Sequence, residues 1–150
     1  MSSDLVDVEI ESIALTGDGV ARIGRTPLYV PFTIPGERVR VRPNVTRAGV
    51  SSATLVEILR PSPHRIEPKC RHFGPRAEAG QTCGGCSWQH IAYQEQLTLK
   101  TDLVTRLVQA KVPSAPAARA MLAATPLADP WHYRNKVHFV VGHARTGALV

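Results

Sequence analysis

The sequence predicts a mainly β fold: a small five-stranded barrel over residues 1–60, followed by the start of an α+β domain over residues 61–150. Three observations predict it. Apolar and polar residues alternate in short runs through the first 60 residues, glycines and prolines break those runs, and the one long helical pattern comes only at Gln89–Lys111. Twelve prolines in 150 residues argue against a helical bundle, and 43% hydrophobic residues suit a folded soluble chain.

The elements follow in order. Val6, Val8 and Ile10 alternate with Asp7, Glu9 and Glu11, the period of a half-buried strand. Thr16–Gly24 carries glycines at 17, 19 and 24, which suit turns and bulges. Pro27–Phe32 reads as the next strand, closed by the turn signal Ile34-Pro35-Gly36-Glu37. In Arg38–Arg42, Val39 and Val41 take one face and Arg38, Arg40 and Arg42 the other; Thr54–Leu59 supplies a last strand. Five short strands without an intervening helix are most economically closed into a barrel, which removes exposed sheet edges. Pro61-Ser62-Pro63 reads as a linker and sets the domain boundary. Beyond the cysteine region, Leu97, Leu103, Val104, Leu107 and Val108 form the apolar stripe of the long helix, which Lys111 and Pro113 terminate. A short helix is expected at Ala117–Ala124, a strand at Val137–Val141 and a hairpin turn at His143–Gly147. Ala148–Val150 then opens a partner strand, so the chain is expected to be part of something longer.

Charge and composition narrow the function. The net charge is +6, and residues 1–60 balance seven arginines against seven acids, so the excess lies in residues 61–150. Within the barrel the first twenty residues carry five acids and no base, while residues 21–60 carry all seven arginines. A pI near 9.7 points to an anionic partner such as nucleic acid. No apolar run approaches the roughly 18 residues of a membrane span, and the acidic start is no signal peptide. The expected setting is the cytoplasm, with free or metal-bound thiols, because three cysteines cannot all pair within one molecule.

Cys70, Cys83 and Cys86 stand in a C-x12-C-x2-C arrangement, with Gly84-Gly85 allowing a tight backbone around the close pair. Two thiolates at that spacing wrap a metal, and the third cysteine favours a metal over a redox dithiol. Spacing alone leaves the metal open. A 4Fe–4S cluster needs a fourth cysteine from elsewhere, whereas His90 or His72 would complete a Cys3His zinc site.

Three stretches together resemble one family. TGDGVARIG followed by YVPFTIPGERVRV resembles a TRAM domain, a small OB-like RNA-binding barrel. Cys70 with CGGCSWQH at 83–90 resembles the iron–sulfur motif of the RNA (uracil-5-)-methyltransferases, and WHYRNKVHF at 131–139 resembles the opening of their central domain. The resemblance implies that Cys70, Cys83 and Cys86 are three of four ligands to a 4Fe–4S cluster. Pro75–Gln81 looks like an insertion relative to the family's spacing. It further implies methyl transfer from S-adenosylmethionine to carbon 5 of a uridine in ribosomal or transfer RNA. A cysteine outside residues 1–150 would add to the neighbouring ring carbon of an unstacked base. The chain has no glycine-rich βα turn for the cofactor, so it is expected to be inactive alone and to supply the RNA-holding and cluster-holding part. The rival is a non-catalytic RNA-binding module with a structural zinc.

For RNA contacts the sequence nominates Arg38, Arg40 and Arg42 on one strand face, Arg22, Arg25 and Arg47 on adjoining loops, and Arg134 with Lys136 beside Tyr133. Tyr29 and Phe32 are expected to fill the barrel interior rather than stack on bases. The acidic first strand is expected to lie away from the RNA, no membrane or protein partner is expected, and the protein is expected to be a monomer.

Overall fold

The structure, a computed structural model, describes residues 5–44, 51–74, 83, 85–112, 124–136 and 142. Arg47, the 75–81 stretch, most of the expected 117–124 helix, the 137–141 strand and the hairpin after it lie outside the described residues.

The described chain is mainly β with one helix. Its strands are β1 (Val6–Glu9), β2 (Ser12–Ile13), β3 (Gly19–Ile23), β4 (Thr26–Val30), β5 (Arg38–Asn44) and β6 (Ser51–Arg60), followed by α1 (Tyr93–Lys111). They form one curled sheet in the order β1-β5-β6-β4-β3-β2, antiparallel except for the β4–β6 pair. The two ends of that order, β1 and β2, are joined by only Ile10 and Glu11. One bent run of chain therefore serves both edges: Ile10 donates to the Glu37 carbonyl and Glu11 to the Val20 carbonyl. This bend makes six strands where five were expected, because the Val6–Ile10 alternation contains no signal for a second short segment.

Alternation decides what the half-barrel encloses. Val8, Ile10, Ala21, Leu28, Val30, Val39, Val41 and Ala53 form its core, and each inward residue of β5 is flanked by an outward arginine. A second core lies outside the sheet and is shared with the rest of the chain: Ile13 and Ile34 of the barrel pack with Ile91 and Leu99, with Trp88 at the margin.

The segment after β6 behaves as part of this body rather than as a linker. Ser62 is buried, Arg65 bridges to Ile91 in an antiparallel pairing, and Ala92 donates to the His64 carbonyl. That pairing holds residues 89–91 in a turn, so α1 begins at Tyr93 instead of Gln89. Of the expected apolar stripe, Leu97 is buried while Val104 and Leu107 are exposed, and Leu99, which the stripe did not include, is buried. Lys111 ends the helix as expected, in its last turn. No helix among the described residues is long and apolar enough to cross a membrane.

Candidate nucleic-acid interface and cysteine site

β5 presents Arg38, Arg40 and Arg42 on its outer face, but the sheet order sets them beside acids. β1 is the direct neighbour of β5, with Asp7 opposite Arg40 and Glu9 opposite Arg38. Arg40 bonds Asp7 at 2.8 Å and Glu57 of β6 at 2.9 Å. The hydrogen bond to Asp7 and that carboxylate's charge hold the Arg40 guanidinium above its usual pKa. Arg38 lies 3.9 Å from Asp7, and Arg60 bonds Glu9 at 2.6 Å. The acidic first strand thus lies against the arginine strand and neutralises part of it. Arg22 is also paired, with Glu11 at 3.2 Å. Among the described residues Arg42 and Arg25 make no ion pair, and both are exposed. The cationic capacity of this face therefore shifts toward the Arg42 end of β5.

A second group of basic and aromatic side chains comprises residues 131–136 and Lys69, the sequence neighbour of Cys70. Lys69 sits 5.2 Å from the Trp131 ring centroid, Arg134 sits 5.9 Å from that of Tyr133, and Lys136 is exposed. Tyr133 is 65% exposed, which leaves its ring available for stacking. Phe32 is half-buried and lies outside the barrel core that it was expected to fill; its ring packs edge-on against Phe73 at 5.3 Å. Tyr29 is half-buried and lines an open cavity of about 640 Å³ with Leu103, Arg106 and Leu107 of α1.

The strongest polar arrangement was not among the sequence candidates. Glu37 is fully buried and accepts four hydrogen bonds: from the Ile34 and Ser62 amides at 2.9 and 3.1 Å, and from Arg65 Nε and Nη2 at 2.6 and 2.8 Å. Burial alone pushes its pKa up; the Arg65 hydrogen bond, the two amides and the Arg65 charge together outweigh this and hold it below the ordinary value. Arg65 Nη2 also donates to the Phe32 carbonyl at 2.9 Å, fixing a residue whose φ is +63°. The only sequence signal was an acid inside an otherwise apolar turn. Its partner, 28 residues on, gave none.

His90 lies in the same region, 2% exposed, stacked on Phe73 with centroids 5.5 Å apart. Neither ring nitrogen reaches a hydrogen-bond partner of good geometry within the described protein. Desolvation, then the Arg65 charge, lower its pKa to about 4, so the ring is neutral at ordinary pH. His72 is exposed, and its Nε2 accepts from Arg71 at 3.2 Å.

The cysteines are free; Cys83 and Cys86 are exposed and Cys70 is partly buried. Gly85 N–H points at Cys83 Sγ, 3.4 Å away, the amide-to-sulfur contact that thiolate-held metal centres use. A Cβ on Gly85 would stand 3.3 Å from that sulfur, so glycine keeps the space beside it open. The donor chemistry thus fits a thiolate-bound metal. Among the described residues, no three His, Cys, Asp or Glu side chains are gathered closely enough to hold an ion by themselves.

Comparison with known proteins adds the last findings. The profile of the tRNA (uracil(54)-C(5))-methyltransferase TRAM domain matches residues 6–64. An uncharacterized RNA methyltransferase of Nostoc sp. is 35% identical over 97% of this chain and 30% of its own length. One from Rhizobium meliloti is 39% identical over 79% of this chain and 27% of its own. The 23S rRNA (uracil(1939)-C(5))-methyltransferase RlmD of Alkalilimnicola ehrlichii is 34% identical over 96% of this chain and 31% of its own. A solved structure, the tRNA (uracil-54, C5)-methyltransferase of Pyrococcus abyssi in complex with S-adenosyl-L-homocysteine, aligns with 68% of this chain and 21% of that one, at 26% identity and TM-score 0.49. The chain spans about three tenths of the length of the first curated relatives it matches.

Proposed function

Residues 6–64 belong to the TRAM domain of the RNA uracil-C5-methyltransferase family, and from that premise we propose that this chain is the RNA-holding and metal-holding part of such an enzyme. The enzyme transfers a methyl group from S-adenosylmethionine to carbon 5 of a uridine in 23S ribosomal RNA or transfer RNA. Residues 1–60 grip the RNA and residues 61–150 open a central domain. The cofactor and the attacking cysteine belong to a catalytic part outside residues 1–150. The protein works in the cytoplasm as a monomer. The observation that carries this reading is the TRAM match, continued through the cysteine region by relatives that align with nearly the whole chain.

Within the chain, Arg42, Arg38, Arg25 and Arg47 contact phosphates, and Arg134 with Lys136 does so beside Tyr133. Arg40 and Arg22 are engaged by acids and serve mainly to knit strands together. Cys70, Cys83 and Cys86 hold a 4Fe–4S cluster with a fourth cysteine from elsewhere in the protein. When bound, the cluster ties these chain segments together and offers a one-electron redox centre. His90 is held between aromatic rings in the interior while Cys83 and Cys86 are at the surface, which favours the cluster over a Cys3His zinc site using that residue.

The test is direct. The full-length gene product, purified anaerobically, should be brown, contain iron and sulfide, and methylate RNA uridine with S-adenosylmethionine, whereas residues 1–150 alone should bind RNA without turnover. A colourless product with one zinc per chain and no methyl transfer would overturn the reading in favour of a structural RNA-binding module.

A further inference from the structure

Cys70 and Cys83 are thirteen positions apart, yet their backbones are tied side by side. Phe73 donates to the Cys70 carbonyl at 3.0 Å, folding residues 70–73 into a turn, and Cys83 donates to the His72 carbonyl within it at 2.9 Å. The opposite side is held by a side chain. Gln89 Oε1 accepts the Cys70 N–H at 3.2 Å. Gln89 lies three residues after Cys86, in the turn where Ile91 returns its N–H to the Trp88 carbonyl at 3.1 Å. Beneath this turn the Phe73 ring stacks on His90, whose own backbone carbonyl accepts Ile66 N–H at 3.0 Å. The turn bearing Cys70 and the segment bearing Cys86 are therefore linked by a neutral amide, on a floor of packed rings.

We propose that Gln89 is a positioning residue for the metal centre: its amide oxygen fixes the Cys70 backbone beside the segment that carries Cys86, so that less of the chain has to be ordered when the cysteine side chains close on a metal. This deepens the cysteine assignment above and rests on it. The physical reason is preorganisation. Cys83 and Cys86 are close in sequence and need little help to converge, whereas Cys70 must close a longer loop whose ordering would otherwise be subtracted from metal affinity. A glutamine suits the task because its oxygen accepts a backbone N–H without adding a charge beside thiolates.

The experiment reconstitutes the full-length protein anaerobically with ferrous iron and sulfide, as wild type, Gln89→Met and Gln89→Glu. It follows iron loss to excess chelator through the visible charge-transfer absorbance, with thermal unfolding in parallel. Methionine matches the length of glutamine without its acceptor, and Gln89→Met should lose iron on the order of tenfold faster, as outer-shell changes at metal sites do. Gln89→Glu restores the acceptor but sets a charge beside the thiolates, so its iron loss should fall between those of wild type and Gln89→Met, with all three proteins unfolding at the same temperature. Wild-type retention in Gln89→Met overturns the positioning role alone. So does a melting temperature that falls together with retention and is not rescued by Gln89→Glu, which would mark Gln89 as merely structural. A wild-type protein that takes up no iron overturns the cysteine assignment and this inference with it.

Discussion

Glu37 and His90 are buried titratable groups within one contact shell of Arg65, and they respond to pH in sequence. Glu37 has its acceptor capacity filled by two amides and a guanidinium, so removing it leaves Arg65 partly buried and unpaired. Glu37→Ala should lower unfolding free energy by about 3–5 kcal/mol, and Glu37→Gln, which keeps the shape, by less; urea titration checks both. For His90 the folded pKa of about 4 lies below the ordinary 6.5, so the unfolded chain takes up a proton that the folded chain refuses. Its contribution is therefore intact above pH 6.5 and is lost as pH falls toward about 4, amounting to about 3 kcal/mol at the acid end. Glu37 acts in a lower window: its folded pKa lies below 4.5, so the stability it lends is present above 4.5 and is lost as pH falls through the folded value. In His90→Leu, stability between pH 6.5 and 4 should be markedly flatter than in wild type, and an unchanged slope would locate the acid sensitivity elsewhere.

At the level of elements, β5 is the clearest case of what alternation does and does not reveal. The pattern Arg-Val-Arg-Val-Arg identified both the strand and its inward face, since period-two patterning is a local property. It could not reveal that β1, 33 positions away, would set Asp7 against Arg40, because strand neighbours are decided by topology. RNA binding should resolve the three arginines. Arg42→Ala should reduce the slope of log affinity against log salt by about 0.7–0.9, the share of one phosphate contact, while Arg40→Ala should leave the slope unchanged. Fluorescence anisotropy over a salt series reads both. The start of α1 was hidden for a related reason: Gln89-His90-Ile91 carries helical periodicity, but pairing of Ile91 with Arg65 withdraws it from the helix. Trp88 at that junction donates Nε1–H to the Gly17 carbonyl at 2.8 Å, joining the turn before α1 to the β2–β3 loop. Gly17 has φ +91°, and a Cβ there would stand 3.0 Å from Trp88 Nε1. Gly17→Ala should therefore destabilise by more than the roughly 1 kcal/mol of an ordinary glycine replacement and quench the shift of Trp88 fluorescence on folding.

Across the whole molecule, the barrel and the segment that follows it share buried contacts. Pro61-Ser62-Pro63 has the composition of a linker, and composition alone cannot show that the Ser62 amide is bound to a buried carboxylate. The TRAM profile ends at residue 64, one short of Arg65, the residue that neutralises Glu37. A barrel cut at residue 60 would keep its own core of Val8, Leu28, Val39 and Val41 but lose three of the four donors to Glu37. It would also expose Ile13 and Ile34, which pack with Ile91 and Leu99. Each loss falls on the folded state, since an unfolded chain hydrates the carboxylate and both isoleucines equally well with or without the later residues. Residues 1–60 should therefore be less stable than residues 1–112 by at least about 3 kcal/mol, the scale of a broken buried ion pair. In residues 1–112, barrel and helix should melt in a single transition whether followed by near-ultraviolet or far-ultraviolet dichroism. Two separated transitions, or a 1–60 fragment as stable as 1–112, would mean that the barrel folds without Arg65 and that the shared core contributes little to it.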